Sequence, residues 1–235
     1  MKHNSFNYTH NEKGIKGFAL VFSCTPNDEI LVPGLMQSFD FCEHFVCYYD
    51  EGTNFDYDEA TRHLSLIREA EKHGAEWIYL TQPTMRCTKD WDNGIKFCTR
   101  NLNGILYSPC FYFWDYSINK VRTDAWSGKS GGCFFKSNPY NSYRTGKLHH
   151  IATPINLSKI SCSLPRFDLR RLGKEVCIGK ADYYQKLDGT PHNGLRDFST
   201  LKVKTIDPKA LHIKGLGKNE LEYIKKIQEK YCETV

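Results

Sequence analysis

The most constraining feature of the chain is an alternation in its first third. "GFALVFSC", Gly17–Cys24, is a compact apolar run rich in strand-favouring residues. "TPNDE" follows as a turn or helix start, and "LVPGLMQSF" reads as a short helix or an irregular segment. "HFVCYY", His44–Tyr49, is a second strand. The period then changes: Ala60, Leu64 and Ile67 share one face at helical spacing, with Asp56 or Asp58 as cap and Gly74 as terminator. "EWIYLTQ" is a third strand. Strand, helix, strand, helix, strand predicts an α/β layer with a mostly parallel central sheet flanked by helices.

The remainder is less regular. A helix is expected over 91–100, with strands at 105–107 and 111–114 and in "KVRTDAW" and "GGCFFKS". "FDLRRLGKEVCIGKADYYQKL" is expected to be helical, bent near Gly173 and Gly179. "KNELEYIKKIQEKY" is a polar helix with Leu221, Ile224 and Ile227 as a narrow apolar stripe. The layout divides into a flexible leader at 1–14, one domain over 15–200 and a C-terminal extension over 201–235.

Composition bounds the function. A chain of 235 residues with 40% hydrophobic residues can bury a sizeable core. No stretch is apolar enough to span a bilayer, and the polar start carries no secretion segment, so a cytoplasmic protein is expected. The ten cysteines show no CxxC spacing and read as reduced, packed thiols. The formal charge of +5 suits an anionic ligand or nucleic acid, and suits a solvated basic face equally.

Chemistry enters at "HFVCYYDEGTNFD", where a buried strand ends in an acidic turn. Ligands of open parallel sheets bind beyond the carboxyl ends of the strands. Asp50 stands at such an end, where a carboxylate accepts paired donors from a base or a ribose. The competing reading is a solvated loop with a helix cap.

In order and spacing, "SCTPNDEILVPGLMQSF", "CYYDEGTNFD" and "EATRHLSLIREAEKHGAEWIYL" resemble the family 2-like glycosyltransferases of the GT-A fold, in the nucleotide-diphospho-sugar transferase superfamily. The likeness covers about residues 17–82 and continues more weakly to about 187. It implies a GT-A-like single domain and transfer of a sugar from a nucleotide-diphosphate donor, such as a UDP-sugar, to an acceptor hydroxyl on a glycan, a protein or a modified nucleobase in DNA. It implies that Asp50 and Glu51 hold the base, and that Arg62 faces the nucleotide or diphosphate. It also places a histidine near His149 and His150, of which His149 is the expected one, beside the donor phosphates or a metal.

The chain departs from the family where an Asp-x-Asp pair normally holds Mg²⁺ or Mn²⁺. Thr81, Gln82, Pro83 and Thr84 stand there instead. Three explanations are open. Arg62 with Arg86 or Lys89 supplies the positive charge without a metal. Alternatively, a metal is held elsewhere, by Asp90 and Asp92 or by Asp124 and His149. Or catalysis is lost and binding is kept. Asp124, beside Trp126, is the expected general base, with Asp115 as runner-up. Arg166, Arg170, Arg171 and Lys174 form a basic cluster expected to close over the diphosphate, or else a solvated face. Cys162 has no identifiable base partner. The alternatives to transfer are nucleotide or glycan binding without turnover, and nucleic-acid binding without sugar chemistry.

Overall fold

The computed structural model describes residues 5–50, 59–100, 103–124, 127, 130–143, 153–189 and 191–232. Strand β1 (Ser5–His10) precedes β2 (Ile15–Cys24), α1 (Val32–Ser38), β3 (Cys42–Tyr49), α2 (Glu59–Lys72) and β4 (Trp77–Thr81). Then come β5 (Met85–Cys87), α3 (Trp91–Thr99), β6 (Gly104–Trp114), β7 (Ser117–Arg122), β8 (Ser130–Lys136), β9 (Ser158–Ser161) and β10 (Arg166–Asp168). Helices α4 (Lys174–Asp188) and α5 (Asn193–Arg196), strand β11 (Val203–Thr205) and helix α6 (Lys218–Cys232) complete the order.

The alternating segment folds as its pattern predicts. β2 lies between β3 and β4 and is parallel to both. Burial on both faces explains its unbroken apolar run. Phe18, Leu20 and Phe22 pack with residues of α1 and α3, whereas Ala19 and Val21 pack with Leu66, Ile67 and Ala70 of α2.

The sheet as a whole corrects the expectation of a GT-A-like, mostly parallel domain. The fold is α/β with helices flanking a central sheet, but the sheet is mostly antiparallel. Its main order is β1-β3-β2-β4-β8-β6-β10-β5. The pairs β1–β3, β4–β8, β6–β8, β6–β7, β5–β10 and β7–β11 are antiparallel. Beyond the β3–β2–β4 unit, only β6–β9 and β6–β10 are parallel among the described residues. The cause is connection length. Parallel neighbours need a crossover, which α1 and α2 supply, whereas a short turn such as the one from β6 to β7 can only reverse the chain.

Three smaller expectations also change. The leader contains β1, which pairs along β3 and stacks Tyr8 on His73 at 3.6 Å between centroids. Arg166–Asp168 is a strand rather than the start of a helix, because it fits between β5 and β6. Helix α4 runs unbroken through Gly179, where a Cβ would lie 2.7 Å from the Tyr231 ring of α6. The helix ends instead at left-handed Gly189.

The C-terminal segment is built into the domain. Arg86 is fully buried; it pairs with Glu220 of α6 at 2.5 Å and donates to the carbonyls of Gly215, Pro83 and Leu31. Gly215 has φ +68, and a Cβ there would strike the Gly34 carbonyl of α1. Among the described residues, no helix is long and apolar enough to cross a membrane.

Candidate functional site

The site forms where the parallel unit ends. Register pairs Cys24 with Tyr49, and the Asp50 N–H donates to the Cys24 carbonyl at 2.9 Å. Asp50 is thereby fixed at the carboxyl edge of the sheet. Its carboxylate lies 3.5 Å from the Arg62 guanidinium, and both side chains are nearly buried. Burial lowers the Arg62 pKa from its ordinary value, while Glu59 and Asp50 favour the charge. After β2, the Thr25 hydroxyl donates to Asp28 at 2.9 Å. Burial raises the Asp28 carboxyl, against the effects of Thr25 and Lys180.

A basic wall stands opposite, where β10 runs into α4. Its anchor is Asp168, which is fully buried. Asp168 accepts from the Thr84 hydroxyl at 2.8 Å, from the Arg170 backbone N–H at 2.9 Å and from Arg170 Nε at 2.5 Å. Burial alone would raise this carboxyl; Arg170 and Thr84 outweigh it and hold it below the ordinary value. Burial likewise opposes the Arg170 charge, and Asp168 more than restores it. The Lys180 ammonium, one helical turn and a half along α4, donates to the Arg170 carbonyl at 2.8 Å. Arg171 lies over the Tyr112 ring of β6, 4.4 Å from its centroid.

Electrostatic interactions link the two walls. Lys180 favours the ionised form of Asp28, at the end of β2. Tyr184 of α4 is subject to Arg170 and Arg171 and also to Glu59 of α2. The carboxyl edge of the sheet, the candidate cleft, therefore has a carboxylate–guanidinium pair with several cations in its electrostatic neighbourhood.

The expected site residues distribute unevenly over this geometry. Asp50, Arg62 and Arg170 belong to the cleft. Asp124 is buried and accepts a bond from Arg122 Nε at 3.1 Å and a second from its Nη2. Arg122 also acts on Cys177 of α4, as do Arg171 and Lys180, so Asp124 stands beside the basic wall. Arg86 is at the α6 lock described above, with its donors directed into the protein. Glu51 and His149 lie outside the described residues, as do His150 and Trp126.

The other candidates lie apart. Arg166 is buried and bonds Tyr79, Ser108 and the Gly131 carbonyl. Lys174 projects over Phe198. Asp92 pairs with Lys214, and Asp115 with Lys120. Burial raises the Cys162 thiol to about 12, which disfavours the nucleophilic thiolate. Lys180, Asp168, Asp28 and Tyr112 were not foreseen. Lys180 and Asp168 were signalled only by position in or beside a basic stretch, Asp28 by a turn and Tyr112 by an aromatic strand, and none of these shows which way a side chain will face.

After β4, Thr84 donates to Asp168, which is also paired with Arg170. No group of three or more His, Cys, Asp or Glu side chains is placed to hold a metal among the described residues. A separate cavity of about 500 Å³ lies between Lys89, Ile118, Lys209, His212 and Leu216, and shares no lining residue with the cleft. The sequence matches no protein-family model and none of the curated proteins with which it was compared.

Proposed function

We propose that the protein is a glycosyltransferase that takes a sugar from a nucleoside-diphosphate donor and passes it to an acceptor hydroxyl. The observation that carries this reading is Asp50, fixed at the ends of two adjacent parallel strands and paired with Arg62, while Asp28 at the same sheet edge feels the Lys180 ammonium. A carboxylate at the sheet edge suits the N–H donors of a base or the hydroxyls of a ribose. Cations across the cleft suit the diphosphate, whose charge grows as the glycosidic bond to it breaks.

In this reading Asp50 and Arg62 orient the nucleoside end, and Arg170 lies at the phosphate end. Asp124, on the acceptor side of the wall, takes the proton of the attacking hydroxyl. Its pairing with Arg122 also favours a second reading, in which the cleft binds a nucleotide sugar without turning it over.

The test is a panel of nucleotide sugars, each assayed for binding by calorimetry and for release of nucleoside diphosphate with acceptor glycans, proteins and DNA. Release from one donor class supports transfer. Binding without release across all acceptors supports the second reading. Absence of binding throughout overturns both.

A further inference from the structure

We propose that Lys180 and Arg171 form a diphosphate-binding subsite whose positive charge comes from side chains, with Asp168 and Arg170 as the frame that positions them. The proposal deepens the donor-binding reading, since it names the part of the same cleft that would take the phosphates.

The first support is an imbalance of charge. Arg122 is matched by Asp124, and Arg170 by Asp168. Among the described residues, neither Arg171 nor Lys180 forms an ion pair. Of the carboxylates that interact with Lys180, Asp168 is already paired with Arg170, and Asp28 has its own ionisation disfavoured by burial. Two cations in one partly desolvated wall repel each other and attract an anion strongly.

The second support is preorganisation. Lys180 is held by its bond to the Arg170 carbonyl, and that carbonyl belongs to a residue locked twice onto buried Asp168. Arg171 is held flat by Tyr112. Neither side chain needs to be ordered when a ligand arrives, so less of the interaction is lost to entropy. Two such cations, one bonded to the Arg170 carbonyl and one on the residue that follows it, suit the two groups of a diphosphate better than a single phosphate.

The third support is the titration of Lys180. Burial and then Arg170 pull it down to about 8. Arg171 acts in the same direction; Asp168 and Cys177 oppose it, and Asp28 faces it from the end of β2. A bound diphosphate would restore the charge. Binding near pH 8.5 should therefore take up a proton, a signature that a merely structural lysine would not give.

The test is calorimetry with inorganic pyrophosphate, inorganic phosphate and UDP, in EDTA, on the full chain. The expected result is that pyrophosphate and UDP bind and phosphate binds more weakly. Lys180→Met and Arg171→Gln should each weaken pyrophosphate about tenfold or more. Lys180→Arg should retain most of the affinity. At pH 8.5 the heat should vary with the ionisation enthalpy of the buffer for the wild type and not for Lys180→Met. Thermal melts check that each variant is folded; Arg171→Gln serves as the second probe if Lys180→Met is unstable.

Pyrophosphate binding that depends on Lys180, without any preference for nucleotides, would keep the subsite and remove the donor reading. UDP binding unchanged in both variants would overturn the subsite and leave the donor reading intact. Binding that vanishes in EDTA and returns with Mg²⁺ or Mn²⁺ would overturn a subsite built on side-chain charge, as would absence of pyrophosphate binding.

Discussion

The two halves of this sheet are held together by different physics. The β3–β2–β4 unit is parallel and wrapped by helices, and its interior is almost wholly apolar: Leu20 and Val21 have no exposed surface. The β6–β10–β5 region is built from hairpins and short strands, and its interior contains buried arginines. Arg86 ties β5 to α6, Arg166 ties β10 to β4 and β6, and Arg122 pairs with Asp124 after β7. A parallel unit gains its order from helical crossovers. A region without them uses directional hydrogen bonds to fix which segment lies where. The cleft lies where these two constructions meet, so its Asp50 side and its Lys180 side are positioned by different means.

That contrast can be broken most severely at Arg86. Arg86→Met leaves Glu220 buried without its partner and should cost about 3–5 kcal/mol in denaturant unfolding. Arg86→Met with Glu220→Leu should recover much of that loss; equal destabilisation in both variants would mean that the charges matter less than the packing. In the other half, Leu20→Ala removes only apolar contact and should cost about 3 kcal/mol, with no dependence on salt.

Effects at the cleft should be smaller and local. Asp50→Asn keeps the shape but removes the charge, and should weaken nucleotide-sugar binding tenfold or more, about 1.4 kcal/mol, with the circular dichroism spectrum unchanged. The edge strand offers a pH test. Burial lowers the pKa of His44, and His10 and His73 act in the same direction against Glu43. The folded value lies below the ordinary 6.5, so the unfolded chain binds the proton first and stability falls as pH drops below about 6.5. Amide protection factors in β1, corrected for intrinsic exchange, should fall between pH 7 and 5, and His44→Gln should abolish that fall. Smallest of all, Lys225→Ala removes an exposed pair with Glu229 and should change unfolding by under about 0.5 kcal/mol.

The same contrast explains what could be read from the sequence. Gly17–Cys24, His44–Tyr49 and the helix beginning near Asp58 announced themselves by period, and a helix between two strands nearly dictates that they are parallel. Asp50 was legible because it ends such a strand. The region after Thr81 carried no equivalent rule. Arg86 and Arg170 look alike in sequence, yet one is enclosed by Glu220 and backbone carbonyls while the other lines the cleft. Only the pairing of β10 with β5 and β6 separates them. Ser5–His10 looked like a leader because its apolar residues are few; the pairing that makes it a strand is supplied by β3, 36 residues away at Tyr8 and His44. Lys180 was hidden for a similar reason, since its partner is a backbone carbonyl, which no side-chain pattern reveals.

On the proposed reading, the end of the parallel unit and the β10–α4 wall together form a donor site. A crystal structure of the protein soaked with UDP-glucose tests it most directly. The uracil or ribose should lie against Asp50, with the phosphates beside Lys180 and Arg171. Density for the nucleotide in the cavity between Lys89 and Lys209, with the cleft empty, would contradict it.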